Sequence, residues 1–229
     1  MLLAIDTSTR YAGVAIADHE RVLVSRGWYS HNSHTAQLMP AISETLRELK
    51  LAASDLDEIA VALGPGAFSA LRVGMSVAKG LASASKKPLV GISTLDLEAM
   101  PYLGSGMPVC ALLDSGRKEV ASAFFAIDGS RSRDDAISPP EELLQEVTQP
   151  TIFCGEGVTN WGDLIKEALG DTVMVVRPSP AGRIFSLIEM GRQLLDAGES
   201  DDLSLIQPHY LRMPSIGGPK RRDLLPQKS

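Results

Sequence analysis

Apolar and polar positions along the chain change period several times, and each change marks an element. Residues 2–5 are an unbroken apolar run that stops at Asp6, residues 13–17 form a second run, and residues 22–27 form a third after the polar turn Asp18-His19-Glu20. Short apolar runs parted by polar turns predict a three-stranded meander. Leu38, Ile42, Leu46 and Leu49 then follow helical spacing, with Met39 widening the stripe, and predict a helix over residues 33–51. Ser54-Asp55 caps a short turn. Residues 58–63 lack polar alternation after Glu58 and predict a strand central in its sheet. The Gly64-Pro65-Gly66 turn leads into a helix over residues 69–85, closed by Lys87-Pro88; a strand over 89–92 and a helix over 95–103 complete the first half. The line Ala70, Gly74, Ala78 and Ala82 would let another helix approach closely.

The second half repeats the opening. Leu3-Ala4-Ile5-Asp6-Thr7-Ser8 aligns with Ala111-Leu112-Leu113-Asp114-Ser115-Gly116, the two aspartates lying 108 residues apart. In each copy an apolar strand ends in aspartate, a short turn follows, and a second apolar strand returns, which predicts an internal duplication. An acidic stretch over 134–149 comes next, with a helix starting at Pro139-Pro140. A strand over 151–154, the turn Gly155-Glu156-Gly157, a helix, a strand over 173–176 and a long helix over 181–197 complete the pattern. The expected division is a first lobe over residues 1–104, a second over 105–215, and an aperiodic, mobile tail over 216–229.

Composition adds limits rather than chemistry. With 229 residues, 44% hydrophobic and 22% charged, the chain is long enough for a large buried core. Its net charge of −6 repels nucleic acid overall, so an RNA role requires a partner or a local basic patch. Cys110 and Cys154 form no CxxC pair and read as reduced, buried thiols. Asp6 arrives too early for a signal-peptide core, and no apolar run approaches the ~20 residues that cross a bilayer. A cytoplasmic protein without membrane attachment is expected.

Candidate chemistry concentrates at the turns after strands. Asp6, Thr7 and Ser8 end the first strand where a nucleotide's phosphates could be surrounded, but the glycine that would let backbone approach phosphate is replaced by Ser8. The local residues favour a hairpin turn capped by Asp6. Gly64 and Gly66 flank Pro65 between strand and helix, without a Walker or GxGxxG pattern, and also favour a structural turn. His31 and His34 have no third ligand nearby and read as a solvated pre-helix segment. No GxSxG elbow is present, and Lys220-Arg221-Arg222 reads as a solvated tail.

Taken together, "AIDTST", "GPGAFSALRVGMSVAKGLA", "PLVGISTLDLEA" and "IQPHYLR" resemble the TsaB (YeaZ) family, over the chain up to about Met213. The resemblance implies an α/β, actin/hexokinase-like (ASKHA) fold of two related lobes, each a central mixed sheet flanked by helices. It also implies a non-catalytic scaffold that binds and activates TsaD in making N6-threonylcarbamoyladenosine in tRNAs reading ANN codons, with TsaE as a further partner. In the catalytic relative two metal-binding histidines follow the strand matched by residues 88–92; Thr94 and Glu98 stand at those places, and Arg117 stands where the relative keeps small residues. No catalytic residue and no metal ligand is therefore expected. Nucleotide is expected only at the junction of the complex, and tRNA only through it.

The same resemblance places Leu38, Met39, Ile42, Leu46, Leu71, Met75 and Ala78 in a helix-bundle interface with TsaD, or in a homodimer through the same helices. Two rival readings belong to other classes. A metal-dependent, glycoprotease-like peptidase requires a metal triad and a general base. An actin-like ATPase requires open phosphate turns at Asp6 and Asp114.

Overall fold

The computed structural model describes residues 1–31 and 33–212. The expectations for residues 216–229 and for the Lys220-Arg221-Arg222 cluster lie outside the described residues. Strands β1 (Leu2–Asp6), β2 (Tyr11–Ala17) and β3 (Val22–Tyr29) form the meander. Helix α1 (His34–Glu48), β4 (Glu58–Gly64), α2 (Phe68–Ser85), β5 (Leu89–Ser93) and α3 (Thr94–Ala99) follow. The first sheet has the order β3-β2-β1-β4-β5, with β4 parallel to both its neighbours, so the uniformly apolar strand is interior.

The second half contains β6 (Val109–Asp114), β7 (Val120–Phe125), β8 (Ala136–Ser138), α4 (Pro140–Gln145), β9 (Ile152–Cys154), α5 (Val158–Leu169), β10 (Met174–Val175) and α6 (Arg183–Asp196). Its sheet runs β10-β9-β6-β7-β8, the same arrangement as the first. The repeat therefore extends beyond the strand-turn-strand unit to a whole lobe of three antiparallel strands, a helix, a parallel strand, a helix, a parallel strand and a helix. Strand β8 carries no apolar run. It forms because Ala121 and Ser122 of β7 offer a free edge to Ile137 and Ala136.

Strand alternation gives each sheet two apolar faces, and the helices cover them. Leu3 and Ile5 face Leu38, Ile42, Met75 and Ala78 of α1 and α2. Leu2 and Ala4 face Ile184, Leu187 and Ile188 of α6, although α6 follows the second sheet in the chain. Helix α3 makes the reverse exchange, with Leu95 and Ala99 packed against Val109, Ala111 and Leu113. A boundary in chain order at residue 104 thus leaves α6 outside the lobe on which it packs. The segment after α6 also returns to the first lobe: Asp201 N donates to Leu89 O at 2.8 Å, His209 N donates to Leu63 O at 2.8 Å, and Ile206 enters the core. The two exchanged helices bring the first residue of α6 to the hinge between the sheets.

Candidate functional site

That residue is Arg183, one of the largest fully buried side chains in the molecule. Its Nε donates to Asp6 Oδ2 at 2.8 Å and its Nη1 donates to Glu98 Oε1 at 2.9 Å. Nη2 donates to Thr9 Oγ1 and to Tyr11 O, both at 2.8 Å, and Nη1 is also bonded to Glu156 Oε1. Asp6 uses its other oxygen for Ser8, accepting from the amide at 2.9 Å and the hydroxyl at 2.6 Å. Thr9 Oγ1 donates to Glu156 Oε1 at 2.7 Å, closing the network. One cation thus joins the first turn, α3 and the β9–α5 turn of the second lobe.

Burial and charge act in opposition here. Burial disfavours the Arg183 cation, but Asp6, Glu98 and Glu156 outweigh it and hold the guanidinium firmly protonated. Burial pushes the Glu98 carboxyl above the usual glutamate range, Arg183 opposes that shift, and Glu156 and Asp6 reinforce it. Three carboxylates against one guanidinium leave an excess of acid, and burial of Glu98 favours its protonated form. Thr94 is fully buried, and its hydroxyl makes no hydrogen bond among the described residues.

The Gly64-Pro65-Gly66 loop is shaped by packing against the same turn. A Cβ on Gly66 would lie 2.1 Å from Ser8 O, and that oxygen accepts the Ala67 amide at 2.8 Å. A Cβ on Gly74 would lie 2.4 Å from Thr7 Oγ1, which donates to Ala70 O at 2.7 Å. Ala70 and Gly74 of the small-residue line of α2 therefore face the Asp6 turn, while Ala78 and Ala82 lie in the core shared with α1. Gly64 is buried under His209 O. The structure brings Asp6, Thr7, Ser8, Gly64 and Gly66 together, but in mutual contact.

The second turn is built differently. Asp114 is exposed; its Oδ1 accepts the Gly116 amide at 2.7 Å and its Oδ2 accepts from Asn160 Nδ2. Arg117 and Lys118 continue the turn at φ 56° and 63°. This turn opens on a cleft of about 1400 Å³ between the lobes, which Arg117, Lys166 and Arg177 line from the second lobe and Arg10, Tyr11 and Tyr29 line from the first.

Several expected site residues lie elsewhere. Leu38, Ile42, Leu71, Met75 and Ala78 are buried inside this chain's own core, and Leu46 is half-buried against it. Their stripe covers the apolar centre of the first sheet, and of these residues Met39, 44% exposed, is the one on the outer surface. His34 is also buried, contrary to a solvated segment, and burial lowers its pKa against the opposing pull of Asp6. His31 stays exposed beside the Tyr29 ring. Cys110 and Cys154 are free and buried, and burial raises both thiol pKa values. Among the described residues no group of three or more His, Cys, Asp or Glu is placed to hold a metal ion. Sequence reasoning missed Arg183 and Glu156. The available signal was an arginine opening an apolar helix, "RIFSLIEM", and acids ending apolar runs at widely separated positions.

Similarity to known proteins bears on this site. The chain is 26% identical over 225 residues to the tRNA threonylcarbamoyladenosine biosynthesis protein TsaB of Bacillus subtilis, covering 93% of this chain and 94% of the relative. It is 27% identical to the Escherichia coli protein of the same description, over 92% and 94%. The solved structure of YeaZ from Pseudomonas aeruginosa superposes with a TM-score of 0.72 at 27% identity, covering 92% of this chain and 99% of that one. Residues 29–164 match the family described as "TsaD: tRNA N6-adenosine threonylcarbamoyltransferase". The chain belongs to the TsaB/YeaZ branch of that family.

The fold of this TsaB-family chain is the actin/hexokinase-like one, two mixed sheets with flanking helices. Arg183 fills the junction between the two lobes. No helix among the described residues is long and apolar enough to cross a membrane.

Proposed function

We propose that this chain is a non-catalytic subunit of the threonylcarbamoyl-transfer machinery of tRNA, binding and activating TsaD and contributing to the platform for TsaE in the cytoplasm. The observation that carries the reading is the Arg183 cluster. Asp6 and Glu98, the carboxylates best placed to serve a phosphate-bound or protein-bound metal, are both committed to a buried guanidinium. A second cation beside that guanidinium would meet strong repulsion in a low dielectric. The closed contact between Ser8 and Gly66 likewise leaves no backbone cradle for phosphate, which weighs against an actin-like ATPase.

The partner surface of this reading is the outer face of α1 and α2. There Ala36, Met39, Pro40, Ser76 and Gly80 are exposed and small or apolar, suited to close helix packing. Light scattering of the full chain with its own TsaD tests the reading through Met39→Glu/Ser76→Glu. A heterodimer that the wild type forms and this variant loses, with unfolding temperature unchanged, supports it. No wild-type complex defeats the partner assignment; a complex that survives the variant moves the interface elsewhere. Met75→Glu is unsuitable, because a carboxylate in the core would unfold the chain and mimic lost binding.

A further inference from the structure

We infer that the cleft between the lobes is a binding groove for a short single-stranded RNA segment. The inference rests on the tRNA-modification reading only in supplying RNA as the available strand.

The two walls differ in chemistry. The second-lobe wall presents Arg117, Lys166 and Arg177, all exposed and none in an ion pair among the described residues. The first-lobe wall presents aromatic rings and one cation, Arg10, whose Nη1 donates to Tyr29 Oη at 3.3 Å. Tyr11 and Tyr29 pair edge to face at 4.9 Å while remaining 42% and 40% exposed. Across the same wall Phe68 and Tyr210 stack at 4.7 Å. Large exposed rings are costly on a free surface, and rings opposite unpaired cations suit bases on one side and phosphates on the other. This is the local basic patch that an acidic chain needs to approach RNA.

Size and depth select the strand over a mononucleotide. The cleft of about 1400 Å³ exceeds the roughly 300–1,000 Å³ of a small-ligand pocket and has room for a larger, extended ligand. The deep position where a mononucleotide's phosphates would enter is closed by Ser8, Gly66 and Arg183. A duplex hides its bases, so the rings have nothing to stack on. Asp114 and Asp163 also line the second-lobe wall, as acceptors that a ribose 2′-hydroxyl can satisfy and deoxyribose cannot.

Fluorescence anisotropy of labelled oligoadenylate with the full chain at low salt tests the groove. Wild type binds, and Lys166→Glu/Arg177→Glu weakens binding by roughly tenfold and lowers the salt slope by about 0.7 per lost phosphate contact. Tyr29→Ala weakens binding about fivefold or more, the range of one lost base stack, with the slope unchanged. The remote pair Lys50→Glu/Lys86→Glu, equal in charge, leaves affinity within twofold. No wild-type binding, equal loss in the remote pair, equal affinity for an RNA hairpin duplex, or displacement by equimolar ATP each overturns the groove. The same cleft variants are run against TsaD by light scattering. An intact heterodimer with lost RNA binding separates this inference from the scaffold reading, and loss of both shows that the cleft belongs to the protein interface and overturns the groove.

Discussion

Asp6 and Asp114 end equivalent strands in two sheets of the same order, and their surroundings have become opposites. Asp6 is 2% exposed and bonded to a guanidinium, its own turn and, through Arg183, both lobes. Asp114 is exposed, and among the described residues its side chain bonds to Gly116 and Asn160 alone. The difference originates in the exchanged helices. Helix α6 carries Arg183 across to the first sheet, whereas α3, packed on the second sheet, contributes Glu98 to that same cluster. One turn has been converted into a structural junction, and its twin has stayed on the cleft wall.

The largest test of that contrast removes the cation. Arg183→Met leaves Asp6, Glu98 and Glu156 facing each other without compensation, and breaking a buried pair costs about 3–5 kcal/mol. At 2–4 °C per kcal/mol for a chain of this size, the unfolding midpoint falls by roughly 10 °C. Calorimetry checks it, and a loss below about 1 kcal/mol would mean the cluster is not the junction described. The triple change Arg183→Met/Asp6→Asn/Glu98→Gln should recover much of the loss, because Glu156, 19% exposed, is then the one member of the cluster still charged.

Next in size is the glycine beneath the first turn. Gly66→Ala drives a methyl into the Ser8 backbone carbonyl, which no rotamer change can move aside, and overpacking of that kind costs about 1–3 kcal/mol. Gly116→Ala in the twin turn meets open space; its φ of +68° alone costs about 1 kcal/mol. Urea midpoints of the two variants rank the turns directly. Equal losses would show that the first turn yields as readily as the second.

Much of this was legible in the sequence, for reasons that differ by residue. The strands ending at Asp6 and Asp114 and the interior place of β4 follow from uninterrupted apolar runs. The duplication follows from one aligned hexapeptide. The cluster was not legible, because Asp6, Glu98, Glu156 and Arg183 share no spacing and meet only after two helices exchange sheets. The docking stripe was misread for a related reason. Leu38, Ile42 and Met75 report that a helix face is buried, but periodicity does not say whether a sheet or a partner buries it.

Acidity probes the cluster more gently. Burial raises the folded pKa of Glu98 above its ordinary 4.5, so between those two values the folded chain holds a proton that the unfolded chain has released. Stability from this group is complete below the unfolded value and declines as pH rises through the folded one. Glu98→Gln, still an acceptor for Arg183, removes that decline: the variant gains on wild type as pH climbs above the ordinary glutamate range. His34 acts with the opposite sign, its lowered pKa taking stability away as pH falls below 6.5, so it is identical in both proteins and cancels from the difference. Denaturant midpoints of the pair across pH 4 to 8 give the curve. A difference that is flat or slopes the other way would place the retained proton elsewhere.

The smallest effect belongs to the exposed twin. Asp114→Ala removes an acceptor from the Gly116 amide and from Asn160, both solvated, and an exposed hydrogen bond of this kind is worth at most about 1 kcal/mol. Arg117 and Lys118 hold positive φ in the same turn, so the loss should register as faster local amide exchange there more than as a lower global midpoint. Hydrogen exchange of residues 114–119 alongside a denaturant melt separates the two. A global loss approaching that of Arg183→Met would mean the second aspartate also anchors a lobe, and the asymmetry between the turns would then be one of exposure only.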